Sequence, residues 1–112
     1  MHAVIRTYSG TGAKELFDLL DQRKADVDGL MRSIDGFVSY LLVRTGDGGT
    51  SVTVCRDKSG ADESIQRARQ WIAANASGID APAPAVSEGE VIVQFNAEAA
   101  TIGSAIPLST VS

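Results

Sequence analysis

Residues 36–56 read GFVSYLLVRTGDGGTSVTVCR, and this stretch decides the fold. Gly36 to Arg44 (GFVSYLLVR) is dense in β-branched and aromatic side chains, the types that suit a pleated, half-buried surface. Thr50 to Arg56 (TSVTVCR) is a second such run. Between them lies the glycine-rich turn Thr45-Gly46-Asp47-Gly48-Gly49, so the pair predicts a β-hairpin.

Working outward, His2 to Tyr8 (HAVIRTY) reads as a strand that the following SGTG closes. From Ala13 to Ser33 the apolar residues Ala13, Leu16, Leu20, Val27, Leu30 and Met31 recur at helical spacing, with Ile34 just beyond. The pattern predicts one long helix, with Gly29 as its weak point and Asp35-Gly36 as its stop. After the hairpin, Ser59 or Asp62 can cap a second helix with the stripe Ile65, Ala68, Ile72, Ala76, ended by Ser77-Gly78. Ile79 to Pro84 is an extended linker. The fourth strand is expected at Glu90 to Phe95 (EVIVQF), with an earliest start at Val86. The order β, α, β, β, α, β predicts an α+β, ferredoxin-like domain over residues 1–95: a four-stranded antiparallel sheet with its helices on one face. Residues 96–112 are small, mildly apolar and aperiodic, and read as a C-terminal tail.

The strands carry more apolar surface than one layer of helices can cover. Alternation sends Phe37, Leu41 and Val43 to one face and Val38, Tyr40 and Leu42 to the other. In the fourth strand, Val91, Val93 and Phe95 oppose Ile92 and Gln94. A second apolar face left wet would exceed the patch that monomers tolerate, so a homodimer is expected. A tail folded back over that face is the alternative.

Composition removes several classes of function. The net charge is -4, with seven basic and seven acidic residues up to Arg56, then three basic and seven acidic. No basic patch is present, and strand three offers no aromatic for base stacking, so no nucleic-acid partner is expected. Cys55 is the only cysteine, which excludes an internal disulfide and fits a reducing, cytoplasmic setting. The N-terminus enters a strand without a signal-like apolar run, and no apolar stretch reaches membrane-span length, so no membrane partner is expected.

The βαββαβ order, the long first helix ending in Ile34-Asp35-Gly36-Phe37, and a tryptophan in the second helix resemble the dimeric α+β barrel superfamily. Within it the chain looks most like the antibiotic biosynthesis monooxygenase-like group, and the resemblance covers about residues 1 to 95. It implies two sheets packed face to face in a dimer, and a pocket between sheet and helices in each protomer. It implies several chemistries, including cofactor-independent oxygenation of quinols, haem degradation and non-enzymatic stress roles. A tryptophan at the position of Trp71 would line the pocket; otherwise it simply fills the seam between helix and sheet. Haem-degrading relatives use an axial histidine after the second-helix region, and this chain has none there, since His2 is its sole histidine.

The residues themselves offer a short set of candidates. Trp71, Tyr40 and Arg6 are the expected pocket residues: an aromatic wall, a phenol and a strand arginine able to hold a carboxylate or enolate. Tyr40 could equally be a cross-strand packing residue. Arg44 and Arg56 sit at strand ends, where a solvated rim is expected, and Cys55 reads as a small buried hydrophobe. No cofactor or metal site is expected. Two functions remain open: a cofactor-independent monooxygenase acting on a small aromatic or quinol, and a non-catalytic dimer that binds a small ligand or serves in stress response.

Overall fold

The hairpin that opens the sequence reading is tighter than its glycine content suggests. In the computed structural model, which describes residues 1–97, Thr45 pairs with Gly48, so only Gly46 and Asp47 form the loop. Gly46 adopts φ 56°, the left-handed conformation such two-residue turns require. The strands it joins are β2 (Phe37–Thr45) and β3 (Gly48–Cys55). β1 (His2–Tyr8) lies against the other side of β3, and β4 (Ala85–Glu90) against β1, giving an antiparallel sheet of order β2-β3-β1-β4. The crossovers are helical: α1 (Ala13–Gln22) and α2 (Lys24–Arg32) between β1 and β2, and α3 (Lys58–Asn75) between β3 and β4. This is the expected α+β ferredoxin-like arrangement. Among the described residues, no helix is long and apolar enough to cross a membrane.

Four local expectations are corrected. The long first helix is two helices, broken at Arg23, where φ -104° and ψ 28° leave the helical range. The run Asp21-Gln22-Arg23-Lys24 has no apolar side chain to hold it straight against the sheet, and Arg23 is drawn sideways towards α3, donating to Asn75 at 3.3 Å. The cap of α3 is Asp57, neither Ser59 nor Asp62; its Oδ1 accepts from the Gly60 N–H at 3.1 Å.

The fourth strand is Ala85–Glu90, not Glu90–Phe95. Its partner decides this. Glu90 pairs with His2, and Val91 N–H donates to the Met1 carbonyl, so β1 has no residue left for Ile92 onward. Ile92, Val93 and Phe95 are accordingly exposed, Phe95 by 92%. The expected opposition of faces over residues 91–95 therefore does not arise. Most of the 96–112 tail, from residue 98, lies outside the described residues.

In β2 the register shifts between Phe37 and Ser39, so Val38 is the extra residue of a β-bulge. The bulge turns Phe37 to the same side as Tyr40 and Leu42, against the core, where plain alternation had placed it with Leu41 and Val43. Leu41 and Val43 remain on the opposite face of the sheet, Leu41 61% exposed.

The core lies between the helices and the inner sheet face. Leu16, Phe17 and Leu20 of α1, Val27 and Met31 of α2, and Ile34 meet Tyr8 and Cys55. The Phe17 ring stands edge-on to Tyr8, centroids 5.7 Å apart, and lies directly over Gly49. β3 inverts the usual pattern: its inward residues are Ser51, Thr53 and Cys55, and its valines, Val52 and Val54, point to the helix-free face.

Candidate functional site

That inversion builds a polar floor under an apolar roof. Register sets Arg6 of β1 opposite Ser51 of β3, and Ser51 opposite Leu42 of β2. Thr53 lies between Val4 and Tyr40 in the neighbouring row. Arg6 and Tyr8 are both buried, since alternate residues of β1 face the helices. Above the floor, α2 contributes Val27 and Met31, and α3 contributes Trp71 one helical step beyond Ala68.

A cavity remains between these layers, and Trp71, Tyr40 and Arg6 all line it, joined by Ser51. Its volume is about 20 Å³, room for about one water molecule. A groove of about 330 Å³ runs alongside, between α2 and the edge strand β2. Leu20, Val27, Met31, Tyr40 and Leu42 border both spaces, so these side chains partition the cavity from the open groove.

The polar atoms of the floor are under-satisfied. Arg6 Nε, Ser51 Oγ and Thr53 Oγ1 are buried without a hydrogen-bond partner among the described residues. Arg6 is only 6% exposed, and no described carboxylate forms an ion pair with it. Every other arginine pair is an exposed contact of the kind worth little. Burying the Nε–H of an unpaired guanidinium without a partner is costly, and arginine cannot shed its proton to relieve the cost. Burial pushes the Tyr40 phenol above its ordinary 10.0; the Arg6 charge pulls the other way, the Tyr8 phenol adds to the rise, and the nearby Ser51 hydroxyl lowers it. Tyr40 is thus a neutral O–H donor at physiological pH.

The remaining candidates lie elsewhere. Arg44 pairs with Asp18 at 3.0 Å and Arg56 with Asp35 at 3.8 Å, both on the solvated rim. Cys55 is fully buried under α3, its sulfur beside Gly60, and burial raises its pKa, with the charges of Asp57 and Glu63 adding to the effect. An un-ionised, enclosed thiol is no nucleophile. His2 bonds Glu88 at 2.8 Å near the end of the β1–β4 pair. Ser51 is the residue that sequence reading missed. Its signal, polar residues alternating with valines in SVTVC, becomes legible only once the helix-covered face is known.

No protein-family model and no curated protein matches the sequence. Solved structures do match the fold. HapK from Hahella chejuensis superposes with a TM-score of 0.63 at 15% identity, covering 87% of this chain and 98% of its own. A dimeric ferredoxin-like protein from an uncultured marine organism gives 0.61 at 12% identity, covering 86% and 96%. The haem-degrader MhuD from Mycobacterium tuberculosis gives 0.59 at 19% identity, covering 85% and 98%. Likeness at such identities speaks of architecture. The chain has a ferredoxin-like α+β fold, and that architecture is what it shares with these structures.

Proposed function

We propose that this chain binds a small aromatic or quinol compound between sheet and helices and oxygenates it without a cofactor. The observation that carries the reading is the convergence of Arg6, Tyr40 and Ser51 on one cavity beside Trp71. In such a reaction the electron-rich substrate itself reduces O₂: one oxygen atom enters the substrate and the other leaves as water. The protein supplies a desolvated space, an aromatic wall and donors for negative charge on the substrate oxygen. The substrate reaches the cavity from the groove by displacing the Tyr40, Met31 and Leu42 partition.

Haem chemistry, the activity named for MhuD, fits this chain poorly. Neither His2 nor Cys55 lines the cavity, so neither stands where it could ligate a haem iron. The experiment is oxygen consumption with a panel of hydroquinones, comparing the native protein with Trp71→Phe. Turnover that falls at least several-fold in the variant supports the reading; no turnover across the panel sinks it. The small volume, about 20 Å³, favours one other reading, a non-catalytic dimer that binds a small ligand.

The same fold supports a homodimer. Ile5, Leu41, Val43 and Val52 form an apolar patch on the sheet face that, among the described residues, no helix covers, with Ile5 40% exposed. A second copy packed on this patch removes it from water. A solution mass by light scattering equal to one chain refutes the dimer. With a single, buried thiol, the protein suits a reducing compartment, and we place it in the cytoplasm.

A further inference from the structure

We infer that the cavity is an anion subsite whose ligand is a small aromatic carboxylate, the carboxylate held by Arg6, Tyr40 and Ser51 and the ring lying against Trp71. This rests on the reading of the cavity as a ligand pocket and names the substrate class it takes.

Three observations converge. First, the cavity is lined by donors without a matching acid: none of its lining residues is Asp or Glu. Second, Arg6 is only 6% exposed, permanently charged and without an ion-pair partner among the described residues, and its Nε–H is buried without a hydrogen-bond partner there. A largely buried guanidinium with no carboxylate beside it among the described residues can accept one negative charge. A guanidinium fork matches a carboxylate with two parallel N–H···O bonds. Third, among the described residues no base lines the cavity, since His2, Cys55 and every described carboxylate lie outside it. A carboxylic acid arrives already ionised at neutral pH, whereas a phenol must first lose its proton to become an anion. The neutral Tyr40 hydroxyl can then donate to the second carboxylate oxygen. The cavity as it stands holds about one water, so the ring enters as Met31, Leu42 and Trp71 move apart, and these apolar side chains then offer it contact without further charge.

The test compares 4-hydroxybenzoate with its neutral isostere 4-hydroxybenzamide, by calorimetry and by the fluorescence of Trp71, the chain's one tryptophan. The acid binds at least tenfold more tightly than the amide and changes Trp71 emission. Arg6→Gln abolishes that preference, and Ser51→Ala weakens acid binding several-fold without affecting the amide. Arg6→Gln melts no lower than the native protein, because it removes an unpaired buried charge. Equal binding of acid and amide overturns the inference, as does acid binding that survives Arg6→Gln. Should that variant fail to fold, acid binding unchanged in Ser51→Ala overturns it as well. Acetate binding as tight as 4-hydroxybenzoate overturns the aromatic part. Acid-selective binding without oxygen uptake leaves the subsite standing and removes the oxygenase. Oxygen uptake from neutral quinols that persists in Arg6→Gln does the reverse.

Discussion

The Arg23 guanidinium lies over the indole of Trp71, 5.6 Å from the ring centroid. Arg23 is also the residue at which the first helical segment breaks. Its Nε donates to Asp26 at 2.6 Å, within the same turn. One side chain therefore ties the joint between α1 and α2 to the aromatic wall of the cavity. Leu20 before the joint and Val27 after it both line that cavity, so the angle of the joint sets the roof.

Arg23→Ala should loosen this corner. The contacts are solvent-exposed, so the loss is at most about 1 kcal/mol. Urea denaturation followed by Trp71 fluorescence reads both effects: a lower midpoint and a changed native emission. An unchanged native spectrum would separate Arg23 from the ring.

Tyr40 gives a pH dependence with a definite sign. Its phenol is raised above 10.0 in the folded chain, mainly by burial, so the fold prefers the protonated form. That contribution is complete below the unfolded pKa and is lost as pH rises through the folded value. Denaturation midpoints between about pH 9 and about pH 11 should fall, and fall less steeply in Tyr40→Phe. An identical slope in the two proteins contradicts the assignment.

Gly49 is fixed by what lies above it. A Cβ there would overlap the Phe17 ring and the Val43 carbonyl. The backbone oxygen cannot step aside, so Gly49→Ala should destabilise the fold by about 1–3 kcal/mol. Thermal melting measures this, and Gly78→Ala, where nothing lies within 4 Å, is the control expected to stay near native.

Asp57 couples the α3 cap to acid. The Gly60 N–H, then the Ser59 hydroxyl, hold its carboxyl below the usual 3.8. A lowered folded pKa contributes stability above the unfolded value, lost as pH falls through the folded one. Asp57→Ala should lower the melting temperature by a few degrees near neutrality and lose that difference in strong acid. A deficit that persists unchanged in acid would contradict the cap.

Much of the fold is legible in the chain because it is local. β-branched runs, helical spacing and turn glycines give the element order, and Trp71, Tyr40 and Arg6 stand out as side chains with more chemistry than their neighbours. Alternation also shows that the strands hold more apolar surface than one helical layer covers. What it leaves open is which face is which. The bulge at Val38 reassigns Phe37, and the valines of β3 turn away from the helices while Ser51 and Thr53 turn towards them.

Those choices belong to tertiary structure, because each depends on a partner distant in sequence. β4 ends at Glu90 because β1 begins at His2, although EVIVQF has the composition of a strand. The first helical segment breaks at Arg23, beside Asn75 and Trp71 on a helix some fifty residues away. Arg6, Tyr40 and Ser51 meet only because antiparallel register brings three strands side by side. The sequence by itself determined a βαββαβ chain with an excess apolar face and a few polar strand residues. The packing decided that those residues face inward together, around a guanidinium with no carboxylate beside it among the described residues.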